Sequence, residues 1–103
     1  MDLSALKNAI DKGQYLWRKH ALTRLAERGI NQEEALEVIQ EGEVIENYPD
    51  DSPYPSCLIF KKVYERPIHV VVALDSEESF AYIITVYEPS PEEFESDFRT
   101  RRN

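Results

Sequence analysis

Residues 20–30, HALTRLAERGI, hold the clearest pattern in this chain and decide how the neighbouring residues are interpreted. His20, Arg24 and Arg28 recur every four residues, so on a helix their side chains lie along one face. Gly29 stands where a left-handed C-cap would end that helix. The apolar residues of the stretch and its flank are Trp17, Ala21, Leu22, Leu25 and Ala26. This pattern predicts a helix with one packed side and one cationic side.

Two further helices are predicted on either side of it. Residues 2–12 have Leu and Ile at helical spacing and end before a glycine. A short extended segment, residues 14–18, leads into the central helix at 19–28. Asn31 is the N-cap of the next helix, with Glu34 as its capping-box partner and a glycine after its last turn. That helix carries four Glu and no Lys or Arg, which excludes a helix-turn-helix DNA reader because phosphates would repel it.

The second half of the chain predicts strands. Four segments rich in β-branched and aromatic residues cover 43–48, 57–64, 68–74 and 80–87, separated by turn-forming residues. Ser90-Pro91-Glu92-Glu93 has the N-cap, proline and acidic residue of a helix start, and Phe94 and Phe98 follow four residues apart.

The element order therefore predicts an α+β fold, in which N-terminal helices pack on a four-stranded antiparallel sheet with a short C-terminal helix. Side chains expected on one face of the sheet are Trp17, Leu22, Leu25 and Leu36. The other face needs a cover, which the C-terminal helix, the loops or a second protein can supply.

Composition excludes several classes of protein. The chain of 103 residues is 42% hydrophobic and 31% charged, as expected for one soluble domain. No apolar run is long enough for a membrane span, and no signal peptide is expected. A single cysteine, Cys57, cannot form an internal disulfide and fits the cytoplasm. Two histidines and one cysteine are too few for a typical structural zinc site, and no nucleotide-binding glycine loop is present.

The net charge of −8 is unevenly distributed. Residues 1–30 contain six Lys/Arg against three Asp/Glu, whereas residues 31–60 contain eight Asp/Glu and no Lys or Arg. A polarised protein of this kind can present a basic patch despite its acidic total. The acidic part can equally bind a basic partner or keep the protein in solution.

Two histidines are candidate acid–base groups. His20 lies in the first turn of its helix, where the dipole favours a neutral imidazole that can act as a general base. A surface histidine is the alternative. His69 lies inside the apolar segment 66–71, where a hydrogen-bonded core histidine is the alternative to a catalytic one.

Cationic and hydroxyl side chains extend this candidate site. Arg24 and Arg28 can bind a phosphate or can pair with neighbouring carboxylates. Thr85 and Tyr87 share one face of their strand. In an antiparallel hairpin, paired residue numbers have a constant sum, and an even sum would put His69 on that same face. Basic residues also end the chain, where Arg99, Arg101 and Arg102 form either a frayed tail or a positive rim.

A set of short motifs extends over residues 15–102. They are His20-Ala21 with Arg24, Glu27-Arg28-Gly29-Ile30, Gly42-Glu43-Val44-Ile45-Glu46, Tyr48-Pro49-Asp50, Pro53 with Pro55-Ser56-Cys57-Leu58, Arg66-Pro67-Ile68-His69-Val70-Val71, Ile84-Thr85-Val86-Tyr87-Glu88-Pro89, and Phe94 with Asp97-Phe98 and Arg101. Together they resemble the bacterial family called domain of unknown function 4258, with residues 1–103 as one such domain. A departure is Arg18, where the family tends to place a Ser or Thr suited to capping the helix.

The layout is similar to that of the compact RelE-like toxins, including BrnT, which are mRNA endonucleases neutralised by an antitoxin. That resemblance implies RNA cleavage through 2′-hydroxyl attack, without a metal or another cofactor. His20 or His69 would be the base or acid, and Tyr87 an orienting or acid group. The implied phosphate or RNA contacts are Arg24, Arg28, Thr85, Arg99 and Arg101.

Two other functions are compatible with the sequence. In the first, the chain is a non-catalytic interaction module, or a degenerate toxin, that forms a homodimer or a complex with another protein. In the second, a groove between helix and sheet senses a small molecule. The acidic total weighs against RNA cleavage, since such toxins are usually basic.

Overall fold

The computed structural model covers residues 1–103 and contains three helices and five strands. The helices are α1 (Leu3–Asp11), α2 (Lys19–Arg28) and α3 (Gln32–Glu41). The strands are β1 (Tyr15–Trp17), β2 (Glu43–Tyr48), β3 (Ser56–Val63), β4 (Arg66–Asp75) and β5 (Phe80–Tyr87). They form one mixed sheet in the order β1-β5-β4-β3-β2. The fold is therefore α+β, as the sequence predicts.

The predicted four-stranded antiparallel sheet is wrong in strand number and in direction. The extended segment before α2 forms β1, a fifth strand that pairs in parallel with β5. Backbone hydrogen bonds from Ala81 to Gln14 and from Arg18 to Ile83 flank this pairing, at 3.0 and 2.9 Å. Three residues are too few to show an alternating pattern, so only the pairing itself identifies the strand.

Local signals at the helix ends are confirmed. The Asn31 side chain accepts a hydrogen bond from the Glu34 backbone at 2.8 Å, and the Glu34 carboxylate accepts one from the Asn31 backbone at 3.0 Å. Gly29 ends α2 in the left-handed region with φ 61°. Arg18 occupies the N-cap of α2, and its side chain makes no capping hydrogen bond.

The helices cover one face of the sheet. The core between them includes Leu6, Ile10, Leu25, Val38, Ile39, Ile59, Val70 and Ile83, with Trp17 and Leu36 partly buried against it. The expectation for Leu22 is wrong, since 43% of this residue is exposed. Leu25 takes the buried position because it lies on the side of α2 that faces β5. None of the helices is both long and apolar enough to cross a membrane.

The predicted C-terminal helix is also wrong. Its start forms as expected, with Ser90 accepting hydrogen bonds from Glu92 at its hydroxyl and from Phe94 at its carbonyl. The chain then makes a second turn around Asp97 and returns, so that Phe94 pairs with Arg101 in an isolated bridge. This path places both the Phe94 and the Phe98 rings over the sheet, on the side away from the helices. Burial of the Phe94 ring, which is 1% exposed, therefore prevails over local helix propensity.

Candidate functional site

A groove of about 570 Å³ lies between α2, β5 and the C-terminal segment. Arg24 and Arg28 of α2 line it together with Thr85 and Tyr87 of β5. Its other lining residues are Glu88, Ser90, Pro91, Glu93, Phe94 and Arg101. Five residues predicted from the sequence therefore line one groove, although they come from three separate parts of the chain. They are Arg24, Arg28, Thr85, Tyr87 and Arg101.

Arg66 fixes the position of α2 beside β5. Its guanidinium donates to the carbonyl of Gly29 at 2.9 Å, to the carbonyl of Arg28, and to the Glu88 carboxylate at 2.6 Å. These contacts join the last turn of α2 to the end of β5, and they satisfy carbonyls that have no partner within the helix. The cationic stripe of α2 consequently runs alongside β5 and faces the groove.

The three arginines of the groove differ in how far they are neutralised. Arg24 pairs with Glu27 at 3.0 Å, and Arg101 pairs with Glu46 at 2.7 Å while its guanidinium lies 4.7 Å from the centre of the Phe94 ring. The Arg28 side chain has neither an ion pair nor a hydrogen bond with the protein. Arg28 is thus the guanidinium of the groove that is most available to an external anion.

His69 lies directly behind Tyr87, on the same face of the sheet. The two residues are paired across β4 and β5, and Val71 pairs with Thr85. The numbers of these pairs have an even sum, so His69 shares the face of Thr85 and Tyr87. Beyond Val71, a β-bulge changes the sum of paired residue numbers by one, as the pairing of Val72 with Ile83 shows.

Both nitrogens of the His69 ring are engaged in the interior. Nε2 lies 2.6 Å from the Phe98 carbonyl, and Nδ1 lies 3.2 Å from the Tyr87 hydroxyl. A carbonyl can only accept, so Nε2 carries the proton and the Tyr87 hydroxyl donates to Nδ1. Burial lowers the pKa of His69, while the Phe98 carbonyl acts in the opposite direction, and the neutral ring is favoured. With 0% exposure, His69 reaches the groove only through Tyr87.

The hydroxyl of Tyr87 is suited to donate a proton. Burial raises the pKa of Tyr87 to about 12, so the phenol stays protonated at neutral pH. Its one proton is directed to His69 Nδ1, so donation to a ligand in the groove requires the O–H bond to rotate away from that nitrogen. A neutral phenol is a poor base there.

A second polar group supports the rim of the groove. The Tyr48 hydroxyl and the Arg101 guanidinium both donate to the Glu46 carboxylate. Burial alone would raise the pKa of Glu46, but these two donors lower it below its ordinary value, and the carboxylate is held ionised. Glu46 in turn fixes the position of Arg101 beside the groove.

The remaining predicted residues lie outside this groove. His20 lines an adjoining depression of about 300 Å³ with Ile84 and the loop that contains Asp51. Arg99 pairs with Glu43 at 2.5 Å and lies over the Phe60 ring, at a different place on the sheet. His69 is buried as described. The predicted site is therefore divided among a groove, a neighbouring depression and the interior.

Some residues of the site were not predicted. The sequence indicates no role for Arg66 or Glu88 beyond their membership of family motifs. Nothing in the local sequence shows that Arg66 donates to carbonyls 37 and 38 residues earlier in the chain. The acidic side chains of Glu88 and Glu93 were not foreseen in the groove, where they partly offset its arginines. No group of three or more His, Cys, Asp or Glu is placed to hold a metal ion.

Comparison with known proteins identifies the family. No curated protein and no solved structure matches the chain. The family model described as domain of unknown function (DUF4258) matches residues 17–88, which include α2, α3 and strands β2 to β5. These residues make up more than half of the 103, and they contain four of the five predicted residues that line the groove. The chain therefore belongs to the DUF4258 family.

Proposed function

We propose that the chain is a metal-independent endoribonuclease of the toxin type, which binds a phosphodiester in the groove between α2 and β5. The observation that carries the proposal is the meeting of Arg24 and Arg28 with Thr85 and Tyr87 in one groove. Two guanidiniums, a hydroxyl and a protonated phenol suit a phosphate and its leaving oxygen. A cognate antitoxin protein would be the cellular partner.

The order of side chains along α2 supports an acid–base pair across the phosphate. Residues four apart on a helix are about 6 Å apart along its axis, so Arg24 lies one turn beyond His20 and one turn before Arg28. His20 lies beside Ile84, whereas Tyr87 lies three residues farther along β5. A phosphate held at Arg24 therefore lies between His20 and Tyr87.

In the proposed reaction, His20 takes the proton of the ribose 2′-hydroxyl. The 2′-oxygen then bonds to phosphorus and the bond between phosphorus and the 5′-oxygen breaks. The Tyr87 O–H rotates from His69 Nδ1 towards the leaving oxygen and donates its proton to it. The products are a 2′,3′-cyclic phosphate and a free 5′-hydroxyl. Water then carries the proton gained by His20 to the Tyr87 phenolate, which restores both groups. His69 has a positioning role, because it orients the phenol without touching the substrate.

The test is cleavage of single-stranded RNA by the purified chain in the presence of EDTA. We expect Arg28→Gln to slow cleavage by about 10²-fold, as for loss of one donor to a developing oxyanion. We expect Tyr87→Phe to slow it by about 10²-fold or more, as for loss of a general acid. Lys12→Gln is the matched control, since it removes one positive charge from an exposed position outside the groove.

Expression in cells gives an independent test. Growth arrest should follow expression of the native chain and should be relieved by His20→Ala or Arg24→Ala. Normal growth with abundant folded protein, together with intact RNA in the cleavage assay, would reject the proposed activity. Cleavage that stops on addition of EDTA would reject the metal-independent mechanism.

A non-catalytic interaction module is the second candidate, and one observation favours it. The outer edge of β2 has no partner strand, so its backbone groups can pair with a strand of another chain. Such a module gives no cleavage and forms a homodimer or a hetero-complex when its mass is measured by light scattering. A strictly monomeric chain from which no partner can be recovered would reject it.

A further inference from the structure

The depression beside His20 is lined by basic, acidic, aromatic and aliphatic side chains. Arg18 and His20, at the start of α2, line it opposite Asp51 and Tyr54 of the loop between β2 and β3. Ala73 and Ile84 of the sheet also line it. At about 300 Å³, the depression is at the lower end of the range for small-ligand sites.

The aromatic and cationic groups of the depression, Tyr54 and Arg18, each lie against the ring of Tyr82. The Tyr54 ring is stacked on the Tyr82 ring, with 5.4 Å between centroids and an interplanar angle of 7°. The Arg18 guanidinium lies 5.1 Å from the centre of the same Tyr82 ring. One face of the Arg18 guanidinium lies on Tyr82, and the Arg18 side chain makes no capping hydrogen bond, so its N–H groups remain available to a ligand. His20 lines the same depression. Tyrosine rings and guanidinium planes are the surfaces on which nucleobases stack.

The acidic group of the depression is held in a fixed orientation. Asp51 Oδ1 accepts a hydrogen bond from the Ser52 backbone at 2.9 Å, and Oδ2 accepts one from the Ser56 hydroxyl at 2.6 Å. These bonds, that of Ser56 above all, lower the pKa of Asp51, and the carboxylate is ionised at neutral pH. Each carboxylate oxygen has two lone pairs and uses one of them in these bonds, so each can accept one further hydrogen bond.

From this arrangement we infer that the depression between Arg18, His20, Asp51 and Tyr54 is a guanine-binding subsite. Guanine has two adjacent donors, N1–H and the 2-amino group, that match the two oxygens of a carboxylate. Adenine and cytosine have an acceptor nitrogen beside their amino group, and uracil has carbonyls on both sides of its N–H. Those three bases would each turn an acceptor towards the carboxylate.

This inference rests on the proposed function, because it names the base at the cleavage site. A guanosine in the depression would have its ribose beside His20 and its 3′-phosphate one helical turn away, at Arg24. Cleavage would then fall on the 3′ side of guanosine. The Arg18 side chain does not cap α2 but lies on the Tyr82 ring, which keeps its guanidinium beside the base in this arrangement.

Nucleosides test the subsite without involving the phosphate groove. In a ¹H–¹⁵N NMR titration of the full chain, guanosine should shift the backbone signals of His20, Tyr54 and Ile84. Inosine, which lacks the 2-amino group, should bind about 10-fold more weakly or worse, as expected for loss of a hydrogen bond to a charged group. Asp51→Asn should lower guanosine affinity by at least that factor.

Two control variants separate this subsite from the proposed activity. Asp50→Asn makes the same charge change at the neighbouring exposed position, and Arg28→Gln alters only the groove; both should bind guanosine normally. Equal binding of guanosine, inosine and uridine, or no signal shifts with guanosine, would overturn the inference. Guanosine binding without RNA cleavage would support the subsite and reject the nuclease, whereas cleavage without base preference would reject the subsite and support the nuclease.

Discussion

Substitution of Tyr87 by Phe should destabilise the fold by an amount that follows from the surroundings of His69. The change removes only the hydroxyl that donates to Nδ1, at 3.2 Å, and keeps the ring. Because His69 is 0% exposed, water cannot replace that donor without entering the interior. A buried acceptor left without a partner costs about 1–3 kcal/mol, and a bond of this length belongs at the lower end, at about 1 kcal/mol.

Thermal unfolding followed by circular dichroism measures this loss. For a domain of about this size, 1 kcal/mol corresponds to a decrease of about 4–8 °C in Tm. Tyr64→Phe is the control, since Tyr64 is 91% exposed in the turn between β3 and β4 and loses its hydroxyl to water alone. A Tyr87→Phe protein that unfolds at the temperature of the native chain would refute the hydrogen-bonded arrangement.

A double-mutant cycle with His69→Phe isolates the interaction itself. His69→Phe also removes the donor to the Phe98 carbonyl, but that loss occurs on both sides of the cycle and cancels. The coupling energy between the two substitutions should therefore be about 1 kcal/mol, with the double variant less destabilised than the sum of the single variants. Additive effects would show that the hydroxyl and the imidazole do not interact.

Two further predictions concern stability. Burial lowers the folded-state pKa of His69 below its ordinary value of 6.5, so the unfolded chain takes up the proton first as pH falls. The free energy of unfolding should therefore decrease as pH falls from about 7.5 through 6.5 towards the folded pKa, and urea titrations should show a smaller decrease for His69→Phe; equal decreases would contradict this origin. Gly42→Ala should cost about 1–3 kcal/mol or more, because a β-carbon there would lie 2.7 Å from the Phe60 carbonyl oxygen; an unchanged melting temperature would contradict this.

Features that depend on residues within one helical turn could be predicted from the sequence. The capping box of Asn31 and Glu34 involves side chains and backbone groups three residues apart, and the pattern alone specifies its geometry. The left-handed Gly29 follows from the same local rule. The register that places His69 beside Tyr87 cannot be read from the sequence, because it depends on how the two strands pair.

Features that depend on distant contacts could not be predicted in this way. The segment after Ser90 has a sound helix start, yet it ends after one turn because Phe94 is buried against the ring of His69, 4.6 Å between centroids. Strand β1 exists because β5 lies beside it. In the candidate site, the four-residue spacing predicts that Arg24 and Arg28 share a face of α2. That this face lies beside β5 depends on Arg66, which joins the end of α2 to Glu88.

The arginines of the chain show how an acidic protein can still present a site for an anion. Of the seven arginines, five form ion pairs with glutamates, and the exceptions are Arg18 and Arg28. Arg18, just before the helical stripe that begins at His20, lines the depression, and Arg28, the last residue of that stripe, lines the groove. The other guanidiniums are neutralised by glutamates, so an incoming anion meets unpaired guanidiniums only at these two positions. The net charge of −8 would limit long-range attraction of the proposed RNA substrate, whereas short-range contacts of an anion with these two guanidiniums would be affected less.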